Sequence, residues 1–151
     1  MHEHHWMKYG ALAAGGLGFV LLIVLMLNYG TSGGELEDRT WVMQEMTVDD
    51  TTAAFAEGVV SYAVFSNGTI AGSAGCNNYN GSYETEGDSI TIGPLVSTLM
   101  FCEGAMDQET VYLTLLGSVD TYSVSGNDLT LSSGDTVLIT YSEGTLDNSS
   151  G

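Results

Sequence analysis

Basic side chains are nearly absent from this chain, which has two of them against 19 acidic residues and a formal net charge of −17. Both, Lys8 and Arg39, precede Thr40, and all histidines lie within the first five residues. A polyanionic surface repels phosphate groups, which argues against nucleic acid as a partner. Without histidine, lysine or arginine, residues 40–151 cannot build a Ser-His-Asp or Cys-His catalytic site. We therefore predict that the protein is not an enzyme.

Carboxylates are the remaining candidates for chemistry. A pair of them can hydrolyse glycosides, but the adjacent Asp49 and Asp50, and the pair Asp107 and Glu109, do not stand out from a solvated acidic surface. Acidic loops abound, yet none has the D-x-[DN]-x-[DN]-G pattern of a calcium loop. We predict no catalytic residue, no metal ligand and no cofactor.

Proline and cysteine are also scarce, with Pro94 alone and two cysteines, whereas glycine occurs 20 times. Many glycines among β-branched and aromatic residues favour short strands joined by tight turns. Cys76 and Cys102 are either two buried thiols or a disulfide. An extracytoplasmic setting favours the disulfide. The chain-entropy model predicts that this bridge would stabilise the fold by roughly 3.5 kcal/mol.

The uncharged apolar run at residues 10–27 predicts a single transmembrane helix, which we place at residues 10–29. A helix over the run would be about 27 Å long, close to the hydrocarbon thickness of a bilayer. Lys8 precedes the run, and Glu35, Glu37 and Asp38 follow it. The positive-inside rule therefore predicts a cytoplasmic tail at residues 1–9 and an extracytoplasmic domain, in a single-pass protein of the cell membrane.

A cleaved signal peptide is the alternative for this segment. We favour the uncleaved anchor, because the run is longer than the usual hydrophobic region of a signal peptide and residues 28–32 offer no convincing cleavage site. Gly10, Ala14 and Gly18 recur every four residues, a spacing that permits homo-oligomers through close helix packing but is also common in membrane helices generally.

The histidines at the N-terminus form a short cluster, His2, His4 and His5. Such a cluster could hold a metal ion, but a free tail provides no further groups to orient the rings. We interpret it as a solvated tail.

Residues 30–39 read as a linker, 40–143 as the domain and 144–151 as a flexible tail. Alternating runs predict strands at 40–48, 58–66, 69–73, 79–85, 88–92, 120–125, 128–132 and 136–141. The pair Asn67-Gly68 is a strong hairpin signal.

Residues 105–116 break the strand pattern and predict an amphipathic helix that ends near Gly117. Its predicted apolar face comprises Ala105, Met106, Tyr112, Leu113 and Leu116. The predicted fold is α+β and mainly β: an antiparallel, barrel-like sheet covered by one amphipathic helix and preceded by a single transmembrane helix.

Two motifs resemble the META/HslJ domain family. Residues 72–83, GSAGCNNYNGSY, resemble its GCN-x-Y-x-G-x-Y signature, and residues 97–102, STLMFC, resemble its second cysteine segment. As in that family, a Met-x-x-Glu helix follows (Met106, Glu109, Leu113), and Trp41 matches the tryptophan that opens the domain. The resemblance implies a compact barrel-like fold in exported or envelope proteins linked to stress tolerance or secretion, without an established enzymatic activity. Family members are often lipoproteins, whereas here a membrane helix would be the tether.

Three triplets fit the N-glycosylation sequon, at Asn67, Asn80 and Asn148. Such triplets also arise by chance in a sequence rich in glycine, serine and asparagine, and both readings stay open.

Two functional hypotheses follow. The first is an extracytoplasmic, membrane-anchored module that binds or scaffolds an envelope protein, or serves envelope stress tolerance. The alternative is a carrier of a small apolar ligand or lipid, held in a cavity between helix and sheet. A packed interior beneath residues 105–116 would speak against the carrier.

Overall fold

A computed structural model describes residues 35–53 and 55–146. The predicted cytoplasmic tail, transmembrane helix and N-terminal histidines lie outside the described residues, as do residues 30–34 of the predicted linker and 147–151 of the predicted tail. Within the described part of the chain, no helix has the length and apolar character needed to cross a membrane.

The described residues form ten strands and one helix. In chain order these are β1 Thr40–Val48, β2 Thr51–Thr52, β3 Tyr62–Ser66, β4 Thr69–Ser73, β5 Asn78–Glu86, β6 Ser89–Ile92, β7 Val96–Ser97, α1 Met106–Leu116, β8 Thr121–Ser125, β9 Asp128–Ser133 and β10 Thr136–Glu143.

Eight of these strands close into an antiparallel barrel. The order runs β1-β3-β4-β5-β6-β8-β9-β10, and β10 returns to β1 with a register from Trp41↔Glu143 to Met46↔Ile139. The weakest seam joins β6 to β8 through the single pair Ser89↔Thr121. This confirms a mainly β, α+β fold with a closed antiparallel sheet and one short helix. The two-residue strands β2 and β7, which pair with β1 and β5, were not predicted.

The strongest turn prediction is confirmed. Asn67 and Gly68 both have positive φ, 49° and 77°, and they join β3 to β4. Such a turn matches the twist of the flanking strands, and it is why asparagine followed by glycine is favoured there. Strand β3, however, begins at Tyr62 rather than at the predicted residue 58, because Gly58 has φ 75° and the chain turns before it joins the sheet.

The barrel interior is filled by alternate residues of the strands, as expected from the two-residue period of a sheet. Its largest fully buried side chains include Trp41, Phe65, Ile70, Tyr79, Leu129, Leu131 and Tyr141. Leu36 is also fully buried, and its carbonyl accepts a 2.9 Å hydrogen bond from the Trp41 indole. This leucine was predicted to lie in the linker, because a single apolar residue among acidic ones shows no periodicity.

Arg39 covers the same end of the core. Its guanidinium lies 4.3 Å from the centre of the Trp41 ring, forms an ion pair with Glu143 and donates to the carbonyls of Glu35 and Gly126. This arginine is the one cation within the described residues, and it is fully engaged in structural contacts.

Helix α1 begins one residue later than predicted and ends at Leu116, with Gly117 as its C-cap. Its buried positions are Gln108, Glu109, Tyr112 and Leu116, whereas Met106 and Leu113 of the predicted apolar face are only half-buried. The predicted face was therefore partly wrong. A helix repeats every 3.6 residues, and the positions that share a face with Tyr112 include two polar residues, so the face that packs on the barrel is not purely apolar.

Candidate functional site

The predicted disulfide between Cys76 and Cys102 is confirmed, with Cα atoms 5.7 Å apart and a sequence separation of 26. It joins the loop between β4 and β5 to the loop that leads from β7 into α1. Both cysteines are half-buried. The bridge therefore fastens two loops at the edge of the barrel beside the start of the helix.

Asn77 ties the same two loops together with its side chain. Its amide nitrogen donates to the Met100 carbonyl at 3.0 Å and to a Glu109 carboxylate oxygen at 2.7 Å. Its amide oxygen accepts from the Met100 N–H at 2.7 Å and from the Thr98 hydroxyl at 2.8 Å. Both donor hydrogens and both lone pairs of this buried side chain are thus used.

Glu109 joins the helix to this arrangement. Its carboxylate accepts hydrogen bonds from the backbone N–H groups of Asn77 at 2.6 Å and Cys76 at 3.2 Å, in addition to the Asn77 amide. Bonds to a charged acceptor are stronger than neutral ones, and the first helical turn favours a carboxylate. Glu109 was predicted to belong to a solvated acidic surface. It is buried instead, because N–H groups distant in the chain replace water as its hydrogen-bond donors.

We call these residues, Cys76, Asn77, Cys102 and Glu109, the clamp. The clamp holds an exposed loop whose tip is strongly apolar: Leu99 is 96 % exposed, Met100 57 % and Phe101 80 %, and these three residues are the apolar tip. The main chain of Met100 is fixed on both sides by Asn77, and the Thr98 N–H donates to the Asn78 carbonyl. The loop therefore presents apolar side chains on an ordered backbone.

Two exposed carboxylates follow the apolar tip in the chain, and a third lies on a segment that the helix binds. Glu103 follows the disulfide and Asp107 lies in the first turn of α1. Glu57 belongs to the segment before β3, which Gln108 binds through the Ala56 N–H at 3.0 Å and the Val59 carbonyl at 3.3 Å. None of these three carboxylates has a hydrogen-bond or ion-pair partner among the described residues.

The space under the helix is filled by tyrosines. The Tyr112 ring packs edge-on against Tyr79 and Tyr141, and the three hydroxyls form a chain with O···O distances of 2.8 Å and 3.1 Å. Because Tyr79 donates its hydrogen to the Tyr62 carbonyl, Tyr112 donates to Tyr79, and Tyr141 donates to Tyr112. Burial raises the pKa of all three tyrosines above the ordinary value.

A groove lies beside the helix rather than beneath it. It has a volume of about 520 Å³ and opens between the end of α1 and the segment from β6 to β7. Its apolar lining includes Ile92, Pro94, Leu95 and Leu113. The tyrosine packing beneath the helix speaks against the predicted ligand cavity between helix and sheet, and this groove is an open, partly apolar surface instead.

The remaining predicted site residues lie apart from the clamp. Asn67 is exposed in the β3–β4 turn and Asn80 is exposed in β5, while Asn148 lies outside the described residues. Asp49 and Asp50 form the exposed β1–β2 turn, and both have positive φ. The described residues contain no group of three or more histidine, cysteine or acidic side chains placed to hold a metal ion.

The tyrosines of the signature are structural. Tyr79 is bonded inside the barrel as described above, and the Tyr83 hydroxyl donates to the Glu37 carboxylate. Burial is the main cause that raises the pKa of Tyr83, and the nearby Glu37 carboxylate raises it further. Neither hydroxyl is open to a ligand.

Comparison with known proteins agrees with the fold. The META domain family matches residues 34–144. The barrel is similar to an NMR structure of a protein from Burkholderia xenovorans, with a TM-score of 0.62 and 26 % identity over 73 % of this chain and 84 % of that chain. A second NMR structure, with a TM-score of 0.54 and 18 % identity over 74 % of this chain and 94 % of that chain, shares the fold. No curated protein matches the chain. With more than half of its length matched, and with the signature residues forming the clamp and core, the chain belongs to the META domain family.

Proposed function

We propose that this protein is a membrane-anchored, extracytoplasmic module that binds a protein partner of the cell envelope and performs no catalysis. The observation that carries the proposal is the apolar tip, which stays exposed on a loop held by a disulfide and by Asn77. Contiguous exposed apolar side chains commonly mark interaction sites. A loop already ordered before binding loses little conformational entropy when the partner arrives.

The absence of catalysis rests on the side chains present. Residues 40–151 offer no histidine, lysine or arginine, and the buried carboxylate of Glu109 is engaged by three hydrogen bonds. The anchor and the orientation rest on the apolar run at residues 10–27 and on Lys8. The disulfide supports an oxidising, extracytoplasmic location, and a role in envelope stress tolerance would follow from binding a partner there.

Quantitative co-purification from native membranes tests the binding function. Leu99→Ser with Phe101→Ser removes the apolar tip at positions that contribute little to folding, because both side chains are exposed. Val137→Ser is the matched control, since Val137 is an exposed apolar residue of β10. We expect one or more envelope proteins to be enriched with wild type and Val137→Ser but lost from the double variant. The absence of any envelope protein enriched with wild type would contradict the proposed function, and equal recovery with all three proteins would show that the apolar tip is not the binding site.

Topology is tested on the same membranes. We expect the chain to resist extraction at alkaline pH and the domain to be digested only by protease added to the extracytoplasmic side. Release of the chain into the alkaline wash would refute the anchor. The intact mass of the native protein shows whether Asn67, Asn80 and Asn148 carry glycans.

The groove beside α1 favours carriage of an apolar ligand as a second candidate function. Thr114→Trp would fill the groove, because Thr114 is exposed and lines it. Thr110→Trp is the matched control, one turn earlier on the exposed helix surface and outside the groove lining. Native mass spectrometry should then show a lipid bound to wild type and to Thr110→Trp but not to Thr114→Trp. Wild-type protein without bound lipid would dismiss the carrier.

A further inference from the structure

We infer that the partner presents an apolar cleft rimmed by lysine and arginine, and that the apolar tip inserts into this cleft. This inference rests on the proposed binding function and specifies the chemistry of the partner. It follows from three features of the described residues: the shape of the tip, the charge around it and the way the clamp fixes it.

The shape of the tip requires a concave acceptor. Leu99 and Phe101 protrude almost fully, while the Met100 backbone between them is bonded to Asn77. The loop cannot flatten without breaking these bonds and straining the segment next to the disulfide. A protruding pair of large apolar side chains loses most contact with water when it enters a pocket, and buried apolar anchors of this kind dominate interface energies.

The charge around the tip requires a cationic rim. Glu103 and Asp107, which follow the tip in the chain, are exposed and unpaired among the described residues, as is Glu57 on the segment that Gln108 binds. Residues 40–146 contain no lysine, arginine or histidine, and Arg39 is engaged with Glu143. A partner with lysine or arginine around its cleft would therefore be attracted from a distance and held in register.

The same charges disfavour two other occupants. A second copy of this domain would bring like charges together, since the whole chain carries a net charge of −17. A bilayer with anionic lipids would repel the domain, and the tip has no basic side chain to draw it to such a surface. A basic protein surface remains the occupant that complements both the apolar tip and its acidic surroundings.

Site-specific photo-cross-linking in native membranes tests this inference. The full-length chain would carry p-benzoylphenylalanine at position 99, at position 101 or, as a control, at position 137. We expect positions 99 and 101, but not 137, to give a cross-link to one protein. Its modified peptide should lie in an apolar cleft with lysine or arginine within one turn or strand of the cross-linked atom. A cross-link to lipid, to a second copy or to a cleft without basic residues overturns the inference.

Charge variants give the second readout. Glu103→Gln with Asp107→Asn keeps shape and removes two charges beside the tip, and Glu86→Gln with Asp135→Asn removes two exposed charges elsewhere. With the cross-linked partner in hand, we expect each charge lost beside the tip to weaken binding roughly two- to fivefold and to reduce its salt dependence. The variant with Glu86→Gln and Asp135→Asn should leave binding and its salt dependence unchanged. Equal effects of the two double variants would refute a local cationic rim.

The failure of this inference can be told apart from the failure of the proposed function. If an envelope protein co-purifies with wild type but cross-links only elsewhere on the domain, binding stands and the apolar tip is not its site. If no partner is recovered and no position cross-links to protein, both proposals fail.

Discussion

At the scale of single residues, Asn77 connects the fold to the proposed site. Among the described residues, it is the one side chain that bonds both the exposed loop, at Met100 and Thr98, and the helix, at Glu109. An amide suits this position because it combines two donors with two acceptor sites on one short side chain. No other side chain of similar volume offers two hydrogen-bond donors together with two acceptor sites.

We expect Asn77→Asp to lower the free energy of unfolding by more than about 3 kcal/mol. The carboxylate would lose both donors, leave the Met100 carbonyl without its partner and place a second buried charge against Glu109. Asn78→Asp is the matched control, because Asn78 is exposed and its side chain makes no hydrogen bond among the described residues. Urea unfolding compares the two variants, and similar midpoints would show that the Asn77 network contributes little.

Glu109→Gln tests the charge on the other side of the network. Glutamine can still accept from the Asn77 and Cys76 N–H groups, but its NH₂ would face the Asn77 amide, donor against donor. We expect a loss of about 2 kcal/mol, since a bond to a charged acceptor typically contributes 1.5–3 kcal/mol. Asp107→Asn, an exposed carboxylate of the same helical turn, should change stability little. The measurement is again urea unfolding, and an unchanged midpoint for Glu109→Gln would contradict the role of the charge.

At the scale of elements, the clamp combines a covalent and a hydrogen-bonded connection between the same two loops. The disulfide acts mainly by restricting the unfolded chain, whereas Asn77 and Glu109 act only in the folded protein. The loop carrying the apolar tip should therefore keep its shape when one of the two connections is removed.

Replacement of Cys76 and Cys102 by serine should lower the free energy of unfolding by about 3.5 kcal/mol. This is the loss that the chain-entropy model gives for a bridge between cysteines separated by 26 residues. We expect the variant to remain folded, with Met100 still protected from amide exchange by its bond to Asn77. Combining the serines with Asn77→Ala, which removes the oxygen that accepts from the Met100 N–H, should abolish that protection. Loss of Met100 protection in the serine variant alone would show that the disulfide, and not Asn77, orders the loop.

Sequence reasoning predicted the elements that depend on local signals. Strands β1 and β4 have their predicted bounds, because alternation and the Asn67-Gly68 turn leave little freedom. Strands β2 and β7 were missed, since a two-residue pairing has no periodicity. The disulfide was favoured because the two cysteines lie in a domain predicted to be extracytoplasmic. The bonds between Glu109 and Asn77 span 32 residues and have no local signature. The Met-x-x-Glu pattern of the family was the one available signal for Glu109.

The composition of the whole domain limits the pH range in which protonation can change its stability. Residues 40–151 hold no side chain with an ordinary pKa between those of the carboxylates and tyrosine, because histidine is absent and both cysteines are bonded. Titration between neutral pH and about pH 9 therefore changes little in the domain. At higher pH, the buried tyrosines of the barrel become the groups that decide its stability.

We expect stability to fall as the pH rises above about 10, the ordinary pKa of tyrosine. Burial raises the folded-state pKa of Tyr79, Tyr112 and Tyr141, so the unfolded chain loses these protons first and alkaline pH favours unfolding. The stabilising effect is complete below the unfolded pKa, and each tyrosine contributes a slope of up to about 1.4 kcal/mol per pH unit above it.

Urea unfolding between pH 8 and 11 measures this slope, and Tyr112→Phe identifies its source. The variant should be less stable at pH 8 by roughly 1–3 kcal/mol, because the Tyr141 hydroxyl loses its buried acceptor. Above pH 10 the free energy of unfolding of the variant should fall less steeply with pH than that of wild type, because one ionising tyrosine is missing. The stabilities of the two proteins therefore converge as the pH rises. Parallel profiles, or a wild-type stability that stays constant up to pH 11, would show that the tyrosine chain ionises as readily inside the barrel as in the unfolded chain.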